Sequence, residues 1–202
     1  MEKSCELCIC SKKQEEIIFQ TENFYIRPSL GHLVEGYLLV CSKKHLTNLS
    51  ELPENQMEEL EKIKKSIRKL IQENYSKKVI FFEHGPIKDG IIGKSCIDHA
   101  HLHAVPFEED ILRELTKNFT LTEIGKLKEI VSQRENNKPY LYYENQEERK
   151  FLIEVKFPLP SQYFRQIIAS RTKEPYKWNW KVYPEEERFK ETLRKLKNKK
   201  PT

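Results

Sequence analysis

The chain has 202 residues, of which 33% are charged and 38% are hydrophobic, and its formal net charge is +5 at pH 7. This length is enough for one domain with an extension, or for two small domains. No apolar run approaches the roughly 20 residues that a membrane span needs, and no signal-peptide core follows the first residues. We therefore expect a cytoplasmic protein with no membrane partner.

Five cysteines, an odd number at uneven spacing, argue against a secreted disulfide framework. Cys5 and Cys8 form a Cys-x-x-Cys motif, whose tight turn can present two thiolates to one tetrahedral ion. Such an ion needs two further ligands, and a pair of idle or redox-active thiols is the alternative. Cys10 is a third nearby thiol that could replace Cys8 as a ligand.

The first part of the chain alternates between strand and helix patterns. β-branched and aromatic residues predict strands over 15–21, 24–28, 36–41 and 78–82. Apolar residues at three- and four-residue steps predict an amphipathic helix over 53–73, with Pro53 in its first turn. We expect this helix to pack on the sheet without a catalytic role.

A turn-rich segment follows the fourth predicted strand and is the expected lip of a binding pocket. Lys94 and Ser95 in this segment could offer an ammonium group and N–H groups to a phosphate. Glu83 and His84, at the end of the strand, are further candidates for substrate binding, or they simply cap the strand. A carboxylate at Glu83 would repel a polyphosphate unless a neighbouring cation offsets its charge.

Three of the six histidines then fall within five positions, as His99, His101 and His103. Because side chains alternate across a strand, this spacing places the three imidazoles on one face and the small apolar residues between them on the other. Imidazole titrates near neutrality and can act as a base, a nucleophile or a metal ligand. The segment 98–106 is therefore the main candidate for chemistry.

The sequence His99-Ala100-His101-Leu102-His103-Ala104-Val105 matches the pattern His-φ-His-φ-His-φ-φ, where φ is apolar. It resembles the histidine triad (HIT) superfamily of nucleotide-binding hydrolases and transferases. The resemblance implies an α+β fold over residues 1–110, in which an antiparallel sheet of about five strands carries the long helix. It also implies that His101 attacks the α-phosphorus to form a nucleotidyl-histidine. His103 would then contact the phosphate or the backbone and help to hold the tautomer of the nucleophile.

In zinc-bearing members of the superfamily, a Cys-x-x-Cys motif pairs with a histidine after the third strand and with the first triad histidine. The resemblance thus implies a structural Zn²⁺ held by Cys5, Cys8, His45 and His99. The rival arrangement, a catalytic ion held by all three triad histidines, is disfavoured because alternate residues on one strand face lie about 6.6 Å apart.

Two departures from the family pattern leave the substrate open. Tyr37 stands where the family usually has a histidine, and Glu83 stands where relatives commonly have an amide.

Residues 111–202 are expected to form a C-terminal α/β extension. Helices are predicted over 108–118, 122–133, 162–170 and 185–197, and a hairpin over 140–143 and 151–155. Ser161 is a candidate N-cap for the third of these helices. The motifs at 161–165 and 178–180 resemble the extension of a HIT-related branch that includes CwfJ-like proteins. Arg165 or Arg171 could contact phosphates, although surface arginines are the alternative.

These features predict a nucleotide hydrolase or nucleotidyltransferase that acts on a diadenosine polyphosphate, a nucleoside phosphoramidate or a similar conjugate. We expect no organic cofactor, and a homodimer is possible. The alternative is a non-catalytic nucleotide- or RNA-binding module that uses the triad and the basic tail over 194–200, so nucleic acid stays open as a partner. A metal-dependent phosphoesterase is a third interpretation.

Overall fold

A computed structural model describes residues 5–86, 98–197 and 199 of the chain. Within these ranges, eight strands form one sheet. They are β1 (Phe19–Gln20), β2 (Phe24–Pro28), β3 (Leu38–Ser42), β4 (Val79–Gly85), β5 (His101–Pro106), β6 (Leu121–Ile124), β7 (Tyr140–Glu144) and β8 (Lys150–Glu154). Their order across the sheet is β1-β2-β3-β5-β4-β7-β8-β6, and neighbouring strands are antiparallel.

Helices cover both faces of this sheet. The α-helices in the described ranges are α1 (Glu6–Cys10), α2 (Glu54–Tyr75), α3 (Leu112–Asn118), α4 (Val131–Glu135), α5 (Tyr163–Ala169) and α6 (Glu186–Leu196). Short 3-10 turns lie at Gln14–Glu16, Leu49–Glu51, Leu127–Ile130 and Pro175–Trp178. The predicted α+β class is confirmed.

The sheet is larger than the predicted one of about five strands, because β7, β8 and β6 join it through the pairing of β7 with β4. The predicted hairpin of β7 and β8 is confirmed. The division into two units, residues 1–110 and 111–202, stays a prediction. One sheet contains strands from both units, because β4 from the first pairs with β7 from the second.

Three local predictions are wrong. The strand predicted over 15–21 is limited to Phe19–Gln20, because residues Gln14–Glu16 form a 3-10 turn. The segment predicted as a helix over 122–133 begins instead with strand β6. Residues Leu121–Ile124 form backbone hydrogen bonds with β8, and the local residue pattern gives no sign of this distant partner. Ser161 is not the N-cap of α5. Gln162 takes that position with a φ of 56°, and the buried Ser161 hydroxyl has no hydrogen-bond partner in the described chain.

Helix α2 begins just after Pro53 and packs on one face of the sheet through its apolar residues, as predicted. That core also takes in Ala100, Leu102 and Ala104 from the triad segment. The opposite face carries a second core that includes Phe82 from β4 and Phe164 from α5. His101 and His103 therefore lie on the face that the C-terminal part of the chain covers. Of the described helices, none is long and apolar enough to cross a membrane.

A buried group of charges joins α2 to β7. The carboxylate of Glu144, which is 1% exposed, contacts the ammonium of Lys64, and its Oε1 accepts a hydrogen bond from Arg68 at 2.7 Å. Lys64 is also 1% exposed, so its buried positive charge must be balanced by carboxylates. Glu144 is one, and Glu61, whose Oε2 lies 2.9 Å from the ammonium nitrogen, is the other. Removing one member of a buried ion pair leaves the other without compensation.

We predict that Glu144→Gln lowers the free energy of unfolding by about 3 kcal/mol, because it leaves two buried cations with less negative charge. The matched control is Glu147→Gln, whose partner Lys78 lies 3.3 Å away with both side chains 57% exposed. That pair should contribute less than about 0.5 kcal/mol. Urea unfolding followed by tryptophan fluorescence measures both values, and equal losses in the two variants would contradict the prediction.

Candidate active site and metal-binding cluster

The four predicted metal ligands lie close to one another. The ligand atoms of Cys5, Cys8, His45 and His99 all lie within 4.8 Å of one another. Cys5 Sγ is 3.3 Å from His99 Nδ1, and Cys8 Sγ is 3.3 Å from His45 Nδ1 and 3.5 Å from His99 Nδ1. The first turn of α1 places the two thiols on the same side, since residues three apart are neighbours on a helix.

These distances fit one tetrahedral zinc ion. With Zn–S and Zn–N bonds of ordinary length, a sulfur and a nitrogen ligand lie about 3.6 Å apart. His99 Nε2 donates a hydrogen bond to the Ser42 carbonyl oxygen at 2.7 Å, which leaves the lone pair of Nδ1 facing the thiols. Cys10 does not join the cluster, because its Sγ lies 2.7 Å from Arg27 Nη1.

A cavity of about 750 Å³ opens next to this cluster, on the face of the sheet opposite α2. His84, His101 and His103 line it. The rest of its wall comes from both ends of the chain and includes Cys10, Arg27, Arg165, Trp180 and Phe189. The C-terminal extension thus completes a cavity whose histidines come from β4 and β5.

His101 is held by the backbone just before β5. Its Nδ1 is 2.6 Å from the carbonyl oxygen of His99. A carbonyl oxygen only accepts, so Nδ1 carries the hydrogen and Nε2 keeps its lone pair. Burial lowers the pKa of His101, so the imidazole is neutral near pH 7. A neutral imidazole with a free Nε2 at a cavity wall can act as a nucleophile.

His103 is oriented by two aromatic neighbours. Its ring stacks on Phe82 with centroids 4.4 Å apart and planes 16° apart, and its Nδ1 lies 2.7 Å from the Tyr37 hydroxyl. Burial holds the pKa of His103 well below its usual range, and the positive charge of Arg165 lowers it further. Across the cavity wall, burial lowers the pKa of His84 to about 3, and its Nε2 accepts a hydrogen bond from the Phe164 N–H.

The predicted substrate-binding residues divide into three groups. His84 and His103 line the cavity. Glu83 does not, because it is 1% exposed and both of its oxygens accept hydrogen bonds elsewhere, from the Leu49 N–H at 2.6 Å and the Tyr140 hydroxyl at 2.7 Å. Lys94 and Ser95 lie outside the described residues.

The two arginines proposed for phosphate contact differ in position. Arg165 lines the cavity, but its Nε and Nη2 donate to the carbonyl oxygens of Trp178 and Gly31 at 2.9 and 2.6 Å. Gly31 has a φ of 65°, and a Cβ there would lie 2.7 Å from Arg165 Nη2, so only glycine permits this close approach. Arg171 instead forms an ion pair with Glu109 at 3.1 Å.

Sequence reasoning missed Arg27 and the aromatic wall of the cavity. Arg27 is a charged residue within the apolar strand β2, and that contrast was a signal that could have found it. Phe189 reads as an ordinary core position of an amphipathic helix, so the sequence offers no signal for its place in the cavity wall.

The triad strand and the α+β sheet define a HIT-like protein with a CwfJ-like region. Residues 1–120 match the family described as "Protein similar to CwfJ C-terminal", and this match covers more than half of the chain. The chain belongs to this family, which confirms the resemblance stated from the sequence.

Three similar proteins illustrate the relationship. The chain is 27% identical over 94 residues to "Bis(5'-adenosyl)-triphosphatase" of Dictyostelium discoideum, covering 46% of this chain and 61% of that protein. It is 23% identical over 192 residues to "CWF19-like protein 1" of Xenopus laevis, covering 88% of this chain and 34% of that protein. The chain therefore spans less than two thirds of the length of either relative.

A solved structure of a hypothetical histidine triad nucleotide-binding protein from Sulfolobus tokodaii is 24% identical. The aligned region covers 52% of this chain and 71% of the Sulfolobus chain, and the TM-score is 0.44.

We predict that Glu83 makes stability depend on pH. Burial raises its pKa to about 8 in the folded chain, so the fold retains a proton that the unfolded chain releases near pH 4.5. Stability from this group is therefore fully present below pH 4.5 and declines as the pH rises toward 8, by up to about 1.4 kcal/mol per pH unit. Glu83→Gln should remove this slope.

The measurement is urea unfolding at pH 5, 6.5 and 8, with the exposed Glu58→Gln as control. The control should follow the parent chain. If the slope of Glu83→Gln also matches that of the parent chain, Glu83 is ionised in the fold and the prediction fails.

Proposed function

We propose that this protein is a nucleotide hydrolase or nucleotidyltransferase that acts at the α-phosphate of a nucleotide conjugate, with His101 as the nucleophile. One observation carries the proposal. A neutral imidazole, anchored at Nδ1 by the His99 carbonyl oxygen at 2.6 Å, lines a cavity of about 750 Å³. Such an anchor keeps the Nε2 lone pair available at neutral pH.

The chemistry proceeds in two displacements. The Nε2 lone pair of His101 attacks the α-phosphorus, a P–N bond forms, and the bond from phosphorus to the leaving group breaks with its electron pair on that group. Water then attacks the same phosphorus and loses a proton to the solvent, the P–N bond breaks with its electron pair on Nε2, and the nucleoside monophosphate leaves. The hydrogen bond from Nδ1 to the carbonyl oxygen stabilises the positive charge that the ring carries in the intermediate.

His103 and the extension complete the proposed site. His103 lies 4.9 Å from His101 between ring centroids and would face the equatorial oxygens of the phosphate. The cavity volume of about 750 Å³ is within the range of small-molecule sites, and Trp180 and Phe189 add aromatic surface for a base. The named activity of the Dictyostelium relative, a bis(5'-adenosyl)-triphosphatase, supports dinucleoside polyphosphates as the substrate class.

We also propose that Cys5, Cys8, His45 and His99 hold a structural Zn²⁺. Four protein ligands leave no open position for water, so the ion would tie α1 to the start of β5 without entering the reaction. The metal-dependent phosphoesterase interpretation is less well supported. An ion held by all three triad histidines would need His99, whose Nδ1 faces the thiols and whose Nε2 donates to the Ser42 carbonyl oxygen.

The test of the nucleophile is His101→Asn. We expect turnover of diadenosine tetraphosphate and of adenosine phosphoramidate to fall by at least about 1,000-fold, because the attacking nitrogen is lost. The affinity for AMP and the urea midpoint should stay close to those of the parent chain. Released nucleotide is measured by chromatography and affinity by calorimetry.

Two outcomes would overturn the proposal. Unchanged turnover in His101→Asn would exclude this nucleophile. A parent chain that binds AMP tightly but hydrolyses neither compound would favour the non-catalytic binding module.

The zinc site is tested by comparing two cysteines. We expect one zinc ion per chain, a near-complete loss of zinc in Cys8→Ser, and full retention in Cys10→Ser. The reason is that Cys8 Sγ lies 3.3 Å from His45 Nδ1 whereas Cys10 Sγ contacts Arg27. Metal analysis of purified protein and thermal unfolding with and without a chelator give the two readouts. Equal zinc content in the two variants would refute the assigned ligand set.

A further inference from the structure

The bond between Tyr37 and His103 decides what the third triad histidine offers to the cavity. The Tyr37 hydroxyl and His103 Nδ1 are 2.7 Å apart, and the two side chains are 0% and 8% exposed. If Tyr37 donates, Nδ1 accepts and the ring hydrogen sits on Nε2. If Nδ1 donates instead, Nε2 has no hydrogen and can only accept. These two tautomers have opposite uses beside a negatively charged phosphate.

Arg165 favours one direction of this bond. Its guanidinium carbon lies 5.5 Å from the centroid of the Tyr37 ring, and its nitrogens are fixed on the Trp178 and Gly31 carbonyl oxygens. A guanidinium has donors and no acceptor. Burial raises the pKa of Tyr37, and the positive charge of Arg165 partly offsets that rise. A cation beside a phenol makes its hydroxyl a stronger hydrogen-bond donor, which favours donation by Tyr37 to His103.

The Phe82 ring fixes the remaining freedom of His103. The stacked rings, with planes 16° apart, hold the imidazole plane, and the bond to Tyr37 fixes which end of the ring points inward. Nε2 is thereby left for the cavity that His103 lines.

We propose that Tyr37 and Arg165 are positioning residues that hold His103 as its Nε2–H tautomer, so that it donates a hydrogen bond to the phosphate of the substrate. The assignment rests on the proposed function. His101 and His103 then have opposite tautomers, and each is set by a different neighbour: a backbone carbonyl oxygen for His101 and a tyrosine for His103. The first supplies a lone pair and the second a hydrogen. The extension takes part in the chemistry through Arg165 without contacting the phosphate.

The experiment is long-range ¹H–¹⁵N spectroscopy of the full chain with ¹⁵N-labelled histidine, which distinguishes the two tautomers. His103→Gln assigns the signals. We expect the Nε2–H pattern for His103 in the parent chain and its loss or averaging in Tyr37→Phe. In the same variant kcat should fall by about 10- to 100-fold, with little change in the affinity for AMP.

Two further variants separate positioning from packing. Tyr143→Phe also removes a buried tyrosine hydroxyl from the same core, and no hydrogen bond joins that hydroxyl to a histidine in the described chain. It should keep both the tautomer and kcat. Arg165→Lys retains the positive charge but loses the planar guanidinium group with its several donors. We therefore expect a tautomer signal between those of the parent chain and Tyr37→Phe, even if the folding stability of the variant is lower.

A parent chain with the hydrogen on Nδ1 would overturn the inference, since the Tyr37 hydroxyl would then be turned away from His103. An unchanged tautomer in Tyr37→Phe would overturn it as well. The tautomer is measured without turnover. A parent chain that shows the Nε2–H pattern but hydrolyses no substrate would therefore refute the proposed function and leave the tautomer assignment in place.

Discussion

The two-residue alternation of β5 is the constraint on which the site depends. It directs Leu102 and Ala104 into the core beneath α2 and leaves His101 and His103 on the other face. A shift of one residue in the pairing of β5 with β3 would bury the imidazoles under the long helix and destroy both the core and the site. The same apolar residues that stabilise the fold thus select the face on which chemistry can occur.

The chemical character of each histidine follows from its hydrogen-bond partner. His99 gives its Nε2 hydrogen to the Ser42 carbonyl oxygen and turns Nδ1 to the thiols, whereas His101 gives its Nδ1 hydrogen to the carbonyl oxygen of His99. His103 is bound to a side chain, that of Tyr37. Three residues of one type in one strand pattern therefore have three environments. Backbone carbonyl oxygens set the environments of His99 and His101, whereas a single substitution at Tyr37 would change that of His103.

The sequence was most informative where the pattern is local. The period of two in the triad, the helical period of α2 and the strand-type residues of the β7–β8 hairpin all describe interactions between near neighbours, and each predicted the right element. The ligand set Cys5, Cys8, His45 and His99 came from family resemblance, and the four side chains do lie together. Nothing in the local sequence could show that distant segments would meet at one cluster.

The failures have the same cause. Residues Leu121–Ile124 form a strand because β8 is available to pair with them. Glu83 lies outside the cavity, where its carboxyl group accepts a hydrogen bond from the Leu49 N–H of a distant turn. Arg27 and Phe189 meet in the cavity wall because α6 packs against β2, which places the Arg27 guanidinium carbon 5.1 Å from the centroid of the Phe189 ring. Such contacts depend on topology, which periodicity and residue type do not encode.

The continuity of the sheet also affects how the chain is made. β4 has buried side chains along its whole length and pairs with β5 on one side and with β7 on the other. During synthesis β4 leaves the ribosome well before Tyr140–Glu144, so one row of its backbone N–H and C=O groups waits without its final partner. An apolar strand with an open edge readily joins a foreign strand. The nascent chain therefore has an interval in which this unpaired edge favours aggregation.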